Sequence, residues 1–215
     1  TTPESLELQG LFAQMQEAGC TYAVMEVSSH AIALDRIEGI HYDVCAFTNL
    51  TEDHLDFHKT MEAYGLEKAK LFGRCDKAVI NADDEWAEMM IRGAACPVLT
   101  TAVEGEAGLR AEDVELRADG VSFTAVYGKQ KAQVSLPIPG RFTVYNALTA
   151  LGIALQLGLT LEAAAQALKT AKGVKGRVEV VPTPGKDYSV LIDYSHTPDA
   201  LENVISSVQD FCQGR

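Results

Sequence analysis

The sequence predicts an α/β fold, in which a mostly parallel sheet flanked by helices carries a small antiparallel β annex and is followed by the start of a second domain. Apolar runs alternate with helical segments over residues 1–92, as in a parallel sheet. Between residues 111 and 138 the pattern changes to alternating residues punctuated by turn sequences. A Gly173–Gly176 linker precedes new strands. We therefore predict one domain over residues 1–175 and the beginning of another over 176–215.

The first domain starts with a predicted helix, Ser5–Ala18, which has an approximate apolar stripe and Gly19 past its end. Three nearly continuous apolar runs are typical of strands covered on both faces by helices. These predicted strands are Thr21–Val27, Asp43–Asn49 and Asp76–Asn81. The helices expected among them are Thr60–Phe72 and Asp83 to about Arg92.

The annex is predicted from hairpin turns at Asp119-Gly120 and Gly128-Lys129. Two Ala- and Leu-rich helices should follow, at Thr143–Leu157 and Thr160–Thr170. Beyond the linker we expect strands at Arg177–Pro182 and Tyr188–Tyr194 and a helix at Pro198–Phe211.

Bulk properties exclude several classes of function. The net charge of −12 argues against a nucleic-acid partner, because phosphate binding needs a basic face. No apolar stretch is long enough for a membrane span, and the first residues do not resemble a secretion signal. The five cysteines are scattered without a CxxC pair, which fits a reducing cytoplasm.

Polar side chains follow two of the predicted strands. Glu26 ends an apolar run, where a buried unpaired carboxylate would be costly, so it either needs a cation or caps the following helix. Asp53, His54, Asp56 and His58 share the loop after the next strand. These side chains could hold a divalent metal, with His54 and His58 on one helical face in the manner of a zinc site, or they could form a solvated helix N-terminus. By periodicity alone Lys68 is an exposed helix lysine.

Five segments occur in an order and spacing that resembles the Mur ligases. They are MEVSSH at Met25–His30, TNLTEDHLDFH at Thr48–His58, the run Tyr64–Phe72, INADD at Ile80–Asp84 and DYSHTPDALE at Asp193–Glu202. The opening TTPESLELQ, together with the first and last of these segments, is similar to the branch that adds the third residue of the peptide. The resemblance spans essentially the whole chain.

This resemblance implies an ATP- and Mg²⁺-dependent enzyme that joins an amino acid to a UDP-muramoyl dipeptide through an acyl phosphate. Glu26 and His54 match ligands of a second Mg²⁺. Lys68 matches the lysine that the family carboxylates with CO₂, which would make it a third member of the catalytic metal site. The implied partners are UDP-MurNAc-L-Ala-D-Glu and either meso-diaminopimelate or L-lysine, with no nucleic acid and no membrane.

The resemblance also assigns binding residues. Thr1, Thr2, Ser28 and Arg36 match positions that contact the UDP-muramoyl dipeptide, whereas Leu34 stands where some relatives have a glutamine. The nucleotide-binding positions are matched by Asn146, Arg177, Asp193 and His196. Thr143 replaces an asparagine that is usual three residues before Asn146.

No GxxxxGK[ST] phosphate loop occurs in the sequence. We therefore expect the chain to be a fragment with most of the central ATPase domain and the opening of the Rossmann-like C-terminal domain. Such a fragment should be inactive alone and could still act as a binding module. Two other readings are a folylpolyglutamate or cyanophycin synthetase and a metal-dependent hydrolase that uses the His54–His58 cluster.

Overall fold

The computed structural model describes residues 2–196 and 198–209. In the first half of the chain, five helices and three strands alternate. They are α1 (Ser5–Glu17), α2 (Ser29–Ala33), β1 (Tyr42–Phe47), α3 (Leu55–His58), α4 (Met61–Ala69), β2 (Cys75–Asn81), α5 (Ala87–Gly93) and β3 (Val98–Ala102). A short 3₁₀ helix, Lys70–Gly73, continues α4. This alternation places the loops that follow β1 and β2 at one edge of the sheet.

The second half contains the annex, two helices and a small hairpin. Its elements are β4 (Leu109–Arg117), β5 (Gly120–Tyr127), β6 (Gln130–Leu136), α6 (Arg141–Gln156), α7 (Leu161–Leu168), β7 (Glu179–Val181), β8 (Val190–Ile192) and α8 (Pro198–Gln209). The predicted end of the last helix, residues 210 and 211, lies outside the described residues.

The six strands from β1 to β6 form one sheet in the order β1-β2-β3-β4-β5-β6. Strands β1, β2, β3 and β4 run parallel to one another, whereas β5 is antiparallel to both of its neighbours, β4 and β6. Strands β7 and β8 form a separate antiparallel pair. The predicted fold class is therefore confirmed, while the domain boundary at residue 175 stays a prediction.

The predicted strand Thr21–Val27 is wrong. This segment forms no ladder with any described residue, and Val24 is 96% exposed. A strand needs a hydrogen-bonding neighbour, which an apolar pattern cannot supply. The sequence analysis also missed β3, whose pairing with β2 is non-local.

The two faces of the parallel sheet are covered by different helices. On one face α6 approaches so closely that a Cβ at Gly152 would lie 2.7 Å from Val79 Cγ1. On the other face the side chains of α4 and α5 enclose a core that contains Phe47, Phe72 and Ile80. These layers hold β1 and β2 rigidly and so fix the loops at their carboxyl ends. Within the described residues no helix is long and apolar enough to cross a membrane.

Candidate functional site

The loop after β1 is anchored to the end of β2 by the side chain of Asn81. Asn81 Nδ2 donates to Thr48 O at 2.8 Å, and Asn81 Oδ1 accepts from Asp83 N at 3.2 Å. Asp84 adds a second anchor, because its Oδ2 accepts from Leu50 N at 3.1 Å. The INADD segment therefore positions the loop that carries His54. Its role in anchoring this loop was not predicted from the sequence.

His54 is held in an unusual backbone conformation at the start of α3. Its φ of 57° lies in the left-handed region, which a non-glycine residue seldom adopts. Asp53 Oδ1 accepts from His54 N at 2.7 Å and lies 3.4 Å from His54 Nδ1. The ring of His54 packs edge-on against His30, with 4.8 Å between centroids. Backbone strain of this kind is often found at functional sites.

Lys68 lies on α4, one helical turn after Tyr64. Its Nζ is 5.4 Å from the centre of the Tyr64 ring, and the ring of His54 is 5.9 Å from that ring. Burial lowers the pKa of Lys68, while the nearby carboxylates of Glu26 and Asp53 act in the opposite direction. Lys68 is thus not the freely solvated helix lysine that periodicity alone suggests.

Three predicted residues from separate parts of the chain therefore share one neighbourhood. Glu26 acts electrostatically on both Lys68 and Tyr64, and His54 contacts Tyr64. Among the described residues no three His, Cys, Asp or Glu side chains are grouped closely enough to hold a metal ion. Glu26 offers the carboxylate oxygens that Mg²⁺ prefers and His54 an imidazole nitrogen, and water or phosphate oxygens would complete the coordination of such an ion.

His58 lies among Ser29, His30 and Tyr64, and a zinc site shared with His54 stays a prediction. Its Nε2 is 2.8 Å from Ser29 Oγ, and its ring stacks on Tyr64 with 5.0 Å between centroids and an angle of 13°. Tyr64 is thus the residue that Lys68, His54 and His58 all contact, and the sequence analysis did not identify it. Its spacing of four residues from Lys68 on one helix could have revealed the contact.

A second group of side chains surrounds the segment before α2. Thr2 Oγ1 donates to Glu26 O and accepts from Ser28 N, each at 3.0 Å. Arg36 Nη1 donates to Thr2 O at 3.2 Å, and its Nη2 is 2.7 Å from Glu4 Oε1. The structure thus brings Thr2, Ser28 and Arg36 together beside Glu26. Thr1, also predicted to bind substrate, lies outside the described residues.

The side chains predicted to bind nucleotide fall into two places. Arg177 and His196 flank the ring of Tyr194, at 5.5 Å and 5.2 Å. Asp193 Oδ2 accepts from Val178 N at 2.8 Å, while its Oδ1 accepts from Ser195 N at the same distance. Asn146 lies on a different element, as an exposed residue of α6.

Comparison with known proteins matches residues 1–154 to the Mur ligase middle domain. The chain is 43% identical to a UDP-N-acetylmuramoyl-L-alanyl-D-glutamate--2,6-diaminopimelate ligase from Clostridium botulinum and 45% identical to one from Caldanaerobacter subterraneus. Each match covers 100% of this chain, and respectively 45% and 44% of the relative. A solved structure of a ligase with the same name superposes with a TM-score of 0.87 at 32% identity, covering 100% of this chain and 45% of that one. The chain thus spans less than half the length of these relatives.

Proposed function

The chain belongs to the Mur ligase family, and on that basis we propose that it is part of a longer ATP-dependent ligase. The proposed reaction adds 2,6-diaminopimelate to UDP-N-acetylmuramoyl-L-alanyl-D-glutamate, as the names of its relatives suggest. The observation that supports it best is the convergence of Glu26, His54 and Lys68 around Tyr64. We place this reaction in the cytoplasm, where a reducing environment suits the free cysteines.

The proposed chemistry has two steps. The dipeptide carboxylate attacks the γ-phosphorus of ATP, so that an acyl phosphate forms and ADP leaves. The amine of the diamino acid then attacks the acyl carbon, which forms the amide and releases phosphate. Bound Mg²⁺ would neutralise the negative charge that gathers at the phosphoryl group. The protein must therefore hold anionic groups and cations in one place.

Lys68 is suited to become a carbamate. Burial lowers its pKa, which raises the fraction of neutral amine that can attack CO₂. The new N–C bond forms as the amine loses a proton, and a cationic side chain becomes an anionic one. Its two oxygens would join the Glu26 carboxylate and the His54 imidazole as donors for Mg²⁺. Without this change the lysine charge would oppose metal binding.

Arg36 is the strongest candidate for holding the dipeptide substrate. Its Nε is buried and makes no hydrogen bond, although both Nη atoms are engaged by Thr2 and Glu4. A buried donor of this kind is costly unless a ligand or water satisfies it. Ser28 Oγ accepts from Ala31 N, which leaves its hydroxyl proton for a substrate oxygen.

On the nucleotide side we assign Asn146, Arg177, Asp193 and His196 to ATP. Burial tends to raise the pKa of Asp193, but hydrogen bonds from Ser195 and Val178 outweigh it and lower that pKa. Asp193 is thus held as an anion that can orient a ribose or a cation, while Arg177 offers a guanidinium to phosphate.

The assignment is tested by replacing Lys68→Ala in the longer protein, with Lys70→Ala as the matched control. Lys70 lies at the end of the same helix but is exposed and paired with Glu67 at 2.6 Å. Lys68→Ala should lower kcat about 100-fold with little change in the KM for the dipeptide. The reason is that the proposed carbamate helps to hold the cation that stabilises negative charge mainly in the transition state. Short carboxylic acids should partly restore the rate.

Two further outcomes separate the alternatives. Product formation from UDP-MurNAc-dipeptide with diaminopimelate or with L-lysine identifies the amino acid that is added. Addition of glutamate to a folate would instead identify a folylpolyglutamate synthetase. Stoichiometric zinc with hydrolysis in the absence of ATP would favour the hydrolase reading instead.

The 215-residue chain alone should not turn over ATP, because it has no phosphate loop. A Lys68→Ala rate within about threefold of the parent, worth under about 1 kcal/mol, would remove Lys68 from the site.

A further inference from the structure

Three cysteines gather at the edge of the sheet opposite the candidate site. Cys45 lies within β1, Cys75 is the first residue of β2, and Cys96 immediately precedes Pro97 and β3. Cys45 and Cys75 are buried, whereas Cys96 is partly exposed. The proposed ligase reaction uses none of these thiols.

Cys75 and Cys96 are close to bonding geometry. Their Sγ atoms are 3.6 Å apart, compared with about 2.05 Å in a disulfide. Both sulfurs also lie near the carbonyl oxygen of Phe72, at 3.7 Å and 3.9 Å. Cys75 is anchored in a strand, but Cys96 is in the loop between α5 and β3. A modest movement of this loop would therefore bring the two sulfurs together.

The two thiols have complementary reactivity. The neighbouring Cys45 thiol is the main reason that the pKa of Cys75 falls to about 6, and Cys96 acts in the same direction, while burial opposes both. Burial, and then the neighbouring Cys75, raises the pKa of Cys96 to about 11. The two pKa shifts run in opposite directions, so Cys75 is the member of the pair that loses its proton more readily and can act as the attacking thiolate.

We propose that Cys75 and Cys96 form a peroxide-sensitive thiol pair that closes to an intrachain disulfide. The Cys75 thiolate attacks an oxygen of hydrogen peroxide, so that an S–O bond forms and the O–O bond breaks. The hydroxide that leaves takes a proton from solvent and becomes water. Cys96 Sγ then attacks Cys75 Sγ, forming the S–S bond and releasing water with the thiol proton. Two thiols are oxidised while one hydrogen peroxide is reduced to two waters. Hydrogen peroxide is the oxidant of choice for the test because it is close to water in size, whereas Cys75 is only 6% exposed.

The experiment uses the 215-residue chain in a Cys20→Ser, Cys212→Ser background, which removes one exposed thiol and one thiol outside the described residues. The reduced protein is treated with hydrogen peroxide at pH 7, the remaining thiols are alkylated, and peptides are mapped by mass spectrometry without reductant. We expect a Cys75–Cys96 cross-linked peptide that reductant removes. From pH 7 to pH 5 the reaction should slow about tenfold, as the thiolate fraction falls.

Variants identify the two partners separately. Cys96→Ser should abolish the cross-link and leave Cys75 as a sulfenic or sulfinic acid, whereas Cys45→Ser should keep the Cys75–Cys96 cross-link. Circular dichroism of each variant checks that it is folded. Oxidation of Cys75 beyond sulfenic acid with Cys96 intact, a Cys45–Cys75 cross-link, or no reaction at Cys75 in the folded protein would each overturn the proposal.

Discussion

Asn81 offers a direct test of how the sheet positions the candidate site. Its buried amide bridges the ends of β1 and β2 through hydrogen bonds to Thr48 O and from Asp83 N. Asn81→Ala removes both hydrogen bonds at once. The loop that carries His54 would then lose the anchor at Asn81 and keep the one at Asp84.

The expected cost follows from these two contacts. Each hydrogen bond contributes about 0.5–1.5 kcal/mol net, so the loss should be about 1–3 kcal/mol. Thr48 is exposed, which allows water to satisfy its carbonyl and favours the lower part of that range. Asn81→Asp should cost at least as much, because a carboxylate would face the Thr48 carbonyl and place a charge in a buried position.

Urea unfolding of the 215-residue chain measures this change. Trp86 is the single tryptophan, and its backbone N donates to Asp84 Oδ1 at 2.9 Å, so its fluorescence reports on the same region. Far-UV circular dichroism supplies an independent probe of global unfolding. The control is Asn49→Ala, an exposed position that should change stability by less than about 0.5 kcal/mol. Equal stabilities for Asn81→Ala and Asn49→Ala would refute the anchoring role.

Two further predictions concern packing and pH. Gly152→Ala should destabilise the chain by about 1–3 kcal/mol, since its Cβ would meet Val79 at 2.7 Å. By contrast, Gly10→Ala, in α1 with open space around it, should stabilise the chain by up to about 1 kcal/mol. Urea midpoints equal to that of the parent chain would contradict both predictions. Burial and then the charge of His30 lower the pKa of His58 in the folded chain, so the unfolded chain binds this proton more readily. The resulting stability should be present above about pH 6.5, the unfolded value, and be lost as the pH falls below it. Melting temperatures between pH 8 and pH 5 should therefore fall less for His58→Gln than for the parent, and parallel curves would contradict this.

Local patterns in the sequence predicted much of the secondary structure. The helix predicted at Ser5–Ala18 ends within one residue of α1, and both hairpin turns of the annex lie where Gly120 and Gly128 were expected to form them. These features depend on neighbours along the chain. At Gly120, for example, φ is 156° and a Cβ would lie 2.2 Å from Leu136 O, so glycine is required there.

What the sequence alone determined about this protein is its fold class, most of its elements and the set of candidate residues, because apolar periodicity, turn chemistry and motif spacing are written along the chain. The tertiary structure decided which of these residues meet. It left Thr21–Val27 unpaired among the described residues, added β3 to the sheet and placed Tyr64 between Lys68 and the histidines. Strand pairing, desolvation and side-chain clustering depend on residues far apart in sequence. For that reason the lowered pKa of Lys68 and the cysteine cluster emerged only from the folded chain.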